Sequence, residues 1–151
     1  MIMNLAINQA RKTMRNGEGG PFGAAIVCEG KVIAVSSNTV LRDNDPTAHA
    51  EVNAIREAGK ILGTYDLSNC ILYATGYPCP MCLAAIMWAN IKTVYYGTDL
   101  DDALKIGFRD DFIYQFIKNN CCGKDLKLQQ INKEDCLKLF EEYKDTGKII
   151  Y

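Results

Sequence analysis

Apolar residues recur near helical spacing at the start of the chain, where Ile2, Leu5, Ala6, Ala10 and Met14 fall on one stripe. The stripe predicts an amphipathic helix ending near Asn16-Gly17. The Gly-rich stretch Gly17-Glu18-Gly19-Gly20-Pro21-Phe22-Gly23 lacks the Lys-Ser/Thr of a P-loop and leads towards a hairpin, so it reads as a tight loop that delivers Phe22 to a surface. Two short β-prone runs, residues 24–28 and 31–36, flank Glu29-Gly30 and predict an antiparallel hairpin. A polar loop over 37–45 follows. Pro46 and Thr47 then suit a first helical turn, with helix continuing over 48–60. The apolar run 70–75 predicts a buried strand, Pro78 and Pro80 a second helix start running to about Asn90, and residues 92–97 another strand. Strand, helix, strand in that order predicts a right-handed parallel crossover. Two further helices are expected over 110–118 and 133–143.

No repeat or linker interrupts the pattern, so residues 1–151 read as a single domain. At 48% hydrophobic the chain has enough apolar material for a core without disulfides. The balance of 17 Lys and Arg against 18 Asp and Glu offers no bulk attraction to a phosphate backbone, so a nucleic-acid partner is not expected. No apolar run suits a membrane span, and the first residues are too polar for a secretory signal. Seven cysteines, an odd number, point to a reducing cytoplasm. Cys28 and Cys70 sit in strand-like runs and read as core; Cys121, Cys122 and Cys136 suggest no role.

Candidate chemistry gathers at two expected helix N-termini, Thr47-Ala48-His49-Ala50-Glu51 and Pro78-Cys79-Pro80-Met81-Cys82. Cys79 and Cys82, at i and i+3, share one helix face, and a helix N-terminus favours the thiolate that a metal requires. Alone this CxxC also suits a thioredoxin-like redox pair. His49 is the only histidine. One His with two Cys supplies three ligands for zinc and leaves a tetrahedral position open, the arrangement of a catalytic centre. Glu51, two residues on, points elsewhere on a regular helix and can reach a water without occupying the metal.

The pair of segments matches H-x-E followed by P-C-x-x-C, the signature of zinc deaminases that act on nucleobases. The chain resembles the cytidine deaminase superfamily, and within it the bacterial guanine deaminases. That second likeness rests on Gly19-Gly20-Pro21-Phe22-Gly23-Ala24, the run from Asn44 through Glu51, Ile86, Trp88 and Ala89, and Gly107-Phe108 with 110–114. Tyr77 stands where many relatives carry Glu. The resemblance implies an α/β fold, a three-layer α-β-α sandwich with a central mixed sheet of about five strands. It also implies one zinc ion per chain on His49, Cys79 and Cys82, with Glu51 moving the protons. Asn38 would hydrogen-bond the base edge, Phe22 and Trp88 would line or stack on the ring, and Asp110 would meet the polar edge or the departing amino group. Ala50 and Tyr151 would complete the substrate contacts, and the protein would be a homodimer. The implied reaction is hydrolytic deamination of a free base, guanine to xanthine plus ammonia. Cytosine, a triazine or guanosine on the same machinery are alternatives, with tRNA adenosine, a thiol oxidoreductase and a non-catalytic zinc module behind them.

Overall fold

The computed structural model describes residues 1–145, 147 and 150. They divide into two compact units, 1–111 and 112–151. The first opens with helix α1 (Ile2–Arg15), whose small residues Ala6 and Ala10 are buried. Strands β1 (Gly23–Cys28) and β2 (Lys31–Ser37) form the expected hairpin. Its turn places Glu29 and Gly30 at positive φ, where glycine is unstrained. The polar loop is not wholly irregular: it contains the short helix α2 (Val40–Asp43).

Helix α3 (Ala50–Leu62) begins later than Pro46-Thr47 suggested. Asp45 is the reason. Its Oδ1 accepts from the Thr47 backbone N–H and hydroxyl at 2.8 and 2.7 Å, which folds this stretch as a turn. Strand β3 (Cys70–Gly76), helix α4 (Pro80–Trp88) and strand β4 (Thr93–Thr98) complete the crossover, with β3 and β4 parallel. Helix α5 (Leu100–Lys105) went unforeseen, although Asp99 and Asp102 form a capping box at its start.

The sheet order is β2-β1-β3-β4, antiparallel except for the last pair. Among the described residues it has four strands rather than about five, because the chain leaves β4 directly into α5. Successive side chains of β1 point to opposite faces. Ala24 and Ile26 join the core with Ala50, Ala54 and Ala58 of α3 and Leu72 and Ala74 of β3. Gly23 faces α1 instead: a Cβ there would strike the Ala6 carbonyl oxygen, so only glycine allows the helix this close. Helices thus cover both faces of β1, in the layered α/β arrangement expected. Two strand ends, Ser37 and Gly76, and the N-termini of α3 and α4 bring the candidate residues together.

The second unit carries most of α6 (Asp111–Lys118) and α7 (Lys133–Asp145). Tyr151, expected as a substrate contact, lies outside the described residues. Among the described residues no helix is long and apolar enough to cross a membrane.

Candidate active site

His49 and Cys79 are the N-cap residues of α3 and α4, and both have extended backbones, with ψ of 155° and 169°. His49 and Glu51 line one cavity, and Glu51 is not among the three grouped ligand residues, which agrees with its reaching a water there without occupying the metal. The loop before His49 is fixed by Asn53, whose Nδ2 donates to the carbonyls of Ser37 and Ala48 and to Thr39 Oγ1 at 3.0 to 3.3 Å. Cys82 lies in the first turn of α4, fully buried, one turn from Cys79.

The His49 Nδ1 atom is 3.6 Å from the sulfur of Cys79 and 3.6 Å from that of Cys82. All three donor atoms lie within 4.8 Å of one another. Tetrahedral zinc with Zn–S near 2.3 Å and Zn–N near 2.1 Å separates its N and S ligands by about 3.6 Å, so the residues present fit the ion. The two thiols titrate as a unit: a hydrogen bond from Cys82, with smaller help from His49, brings Cys79 down to about 4, while the shared proton pushes Cys82 up. A bound cation would replace that proton and hold both sulfurs as thiolates. His49 is raised, chiefly by its hydrogen bond with Cys79.

The cavity above this triad has a volume of about 450 Å³. Glu51 and Asp110 both line it, and burial pushes both carboxyls above their ordinary values. Arg109 could have diverted Asp110, but it forks onto Asp111 at 2.7 and 3.0 Å. Asn38 is buried in the wall. Its Oδ1 accepts from the backbone N–H of Gly20 and Val40 at 3.2 and 3.3 Å, which, among the described residues, leaves its Nδ2 for a ligand. Phe22 meets Phe108 edge to face at 4.9 Å on another wall.

Of the residues singled out in the sequence, His49, Cys79, Glu51, Asn38, Phe22 and Asp110 line the cavity, and the buried Cys82 sulfur lies 3.6 Å from His49 Nδ1. Trp88 and Ala50 do not line it: Trp88 is 71% exposed at the end of α4, and Ala50 is buried in the core. Sequence reasoning had given no individual role to Gly19, Gly20, Leu41, Pro46 and Phe108, which also line it. The Gly-rich loop was the available signal, since a Cβ at Gly19 would overlap Asn38 and one at Gly20 would press on Phe108.

Comparison with known proteins agrees with this geometry. Residues 1–98 match the model of the cytidine and deoxycytidylate deaminase zinc-binding region. The chain is 45% identical over 144 residues to guanine deaminase of Bacillus subtilis, covering 95% of this chain and 92% of that one. It is 36% identical over 142 residues to a tRNA-specific adenosine deaminase of Buchnera aphidicola, covering 93% and 90%. The crystal structure of the Bacillus subtilis guanine deaminase superposes with a TM-score of 0.94 at 43% identity, over 99% of this chain and 96% of that one. The chain is a member of the cytidine and deoxycytidylate deaminase family, a zinc-dependent hydrolase acting on C–N bonds.

Proposed function

We propose that the protein deaminates guanine to xanthine, consuming one water and releasing one ammonia. The observation that carries this reading is Asp110, a carboxylate left free by Arg109 on the wall of an aromatic cavity beside the metal ligands. It lies beyond the matched zinc-binding region, in a part of the chain that the alignments to the guanine deaminase and to the Buchnera adenosine deaminase both extend to cover, and the higher identity to the first, 45% against 36%, favours guanine.

His49 Nδ1 and the sulfurs of Cys79 and Cys82 would hold zinc, which supplies Lewis-acid activation of a water molecule. Glu51 is the proton carrier. Its carboxylate takes one proton from the attacking water and delivers it to the ring nitrogen beside the carbon that bears the amino group; it then takes the remaining proton from the newly added hydroxyl and delivers it to the departing amine, which leaves as ammonia. Burial raises its pKa towards the working pH, which suits a group that must both accept and donate. Asp110 accepts hydrogen bonds from the amino group and a ring N–H. Asn38 Nδ2 donates to an acceptor on the base edge. Phe22 and Phe108 bound the flat ring and exclude water.

The relative that acts on tRNA adenosine supplies a second reading. The cavity wall argues for a free base: among the described residues it contains no Lys or Arg, and the chain's formal charge is −1, whereas polyanion binding rests on basic contacts. On the same reading the protein works as a cytoplasmic homodimer. Exposed Met87 and Trp88 on α4 support self-association, which sedimentation velocity tests.

The test of the reaction is product analysis. Zinc-loaded protein given guanine should yield xanthine and ammonia in equal amounts. Glu51→Gln with its zinc retained should lose about 10⁴-fold or more in turnover, since one group serves several proton transfers. Absence of xanthine from the zinc-loaded wild type would overturn the reading.

A further inference from the structure

Two cysteines outside the zinc site face each other across the sheet. Cys28, the last residue of β1, is the register partner of Cys70, the first residue of β3. Antiparallel partners project to the same face. Both do so here, since Cys70 is part of the core cluster beneath α3 and half-buried Cys28 packs against that cluster. The Cys70 N–H donates to the Leu67 carbonyl at 2.9 Å, so it is not exchanged with Cys28, and the pair is of the closer, non-hydrogen-bonded kind. Such partners have Cα atoms about 4.5 Å apart, within the roughly 4.4–6.8 Å that a disulfide spans. The Cys28 sulfur lies at the strand end, 3.7 Å from the Asn69 carbonyl oxygen, and is the more accessible of the two. Cys70 is buried, and burial together with the adjacent Cys28 thiol pushes its pKa up to about 12.

We propose that Cys28 and Cys70 form a thiol–disulfide modification site, which low-molecular-weight disulfides close into an intrachain bridge. The half-buried but more accessible Cys28 thiolate attacks one sulfur of the small disulfide. That S–S bond breaks, one small thiol leaves, and a mixed disulfide remains on Cys28. Cys70 then gives up its proton and attacks the Cys28 sulfur, expelling the second small thiol. Two protein thiols are oxidised to one disulfide, and one small disulfide is reduced to two thiols. Burial of Cys70 orders the steps, because the reagent reaches Cys28 first.

The bridge forms far from the metal ligands. β3 runs six residue steps from Cys70 to Gly76, about 20 Å, before the chain enters the cavity wall. The modification therefore leaves Cys79 and Cys82 to the zinc.

The experiment treats zinc-loaded full-length protein with oxidised glutathione, then maps the unreduced peptides by mass spectrometry and measures zinc. The expected result is a Cys28–Cys70 cross-linked peptide with zinc retained. Cys70→Ser should stop the reaction at glutathione on Cys28, and Cys28→Ser should leave Cys70 unmodified. The proposal is overturned if no such cross-link forms, if glutathione reaches Cys70 without Cys28, or if oxidation expels the zinc. None of these readouts depends on which base the enzyme deaminates.

Discussion

On the proposed reading Asn38 has two jobs that different substitutions separate. Its Oδ1 holds the Gly-rich loop and the start of α2 by accepting from Gly20 and Val40, while its Nδ2 is left for the substrate. Asn38→Ala removes both. Two partly buried backbone donors then lack an acceptor, at about 1 kcal/mol each, so stability should fall by about 2 kcal/mol. For a chain of this length that is about 6 °C in the thermal midpoint. Asn38→Asp keeps an oxygen at the position that accepts both N–H groups, and those two donors also stabilise its charge. It replaces the amide donor with an acceptor facing an acceptor on the base. That mismatch should cost about 2–4 kcal/mol in the transition state, a loss of about 30- to 1,000-fold in kcat/KM. The assay pairs thermal unfolding by circular dichroism with steady-state kinetics on guanine, both on zinc-loaded protein. Asn38→Ala should fall in both measurements, and Asn38→Asp chiefly in the second. Wild-type kcat/KM in Asn38→Asp would refute the substrate contact, and an unchanged midpoint in Asn38→Ala would refute the loop anchor.

Cys82→Ala should lose most of the bound zinc and unfold at a lower temperature, since ligation energy also serves folding; full zinc occupancy by metal analysis would contradict the ligand set. Glu51 gives a pH signature in chelator-stripped protein. Burial raises its folded pKa above the unfolded value, so its contribution to stability is complete below the ordinary carboxylate range and is lost as pH rises through the raised value. Glu51→Gln without metal should therefore gain on the wild type towards neutral pH and converge with it in acid; a midpoint difference independent of pH would refute the assignment. Gly23→Ala should push α1 off the sheet and lower stability by roughly 2 kcal/mol, and a neutral result in thermal unfolding would show that the helix does not rest where Ala6 and Gly23 meet.

Periodicity located most of the elements, because α1 and β1–β4 each keep one apolar face or run that needs a partner. The metal triad was legible for a different reason: one histidine and a CxxC at helix starts leave few other uses for those residues. What escaped were side-chain contacts that override local preference. Asp45 turns Pro46-Thr47 out of the helix by bonding Thr47. α5 was missed although its Asp99–Asp102 box was readable, because the segment is short and follows a strand directly. A fifth strand was inferred from resemblance, with no β-prone run in the sequence analysis to supply it. Trp88 looked like a ring partner, yet its place at the last position of α4 exposes it. Sequence alone does not decide whether Arg109 pairs with Asp110 or with the adjacent Asp111; the geometry gives it to Asp111.

The most direct test of the central claim is the ratio of kcat/KM values for one zinc-loaded preparation on guanine, cytosine, adenine, guanosine and a tRNA with adenosine at the wobble position. A site that pairs Asp110 and Asn38 with a guanine edge leaves those groups unsatisfied by cytosine or adenine, and should favour guanine over either by roughly 10³-fold or more. Guanine should therefore stand first in the series, and Asp110→Asn should remove most of its lead. Faster turnover of the tRNA, cytosine or guanosine than of guanine would contradict the account while leaving the zinc ligands in place.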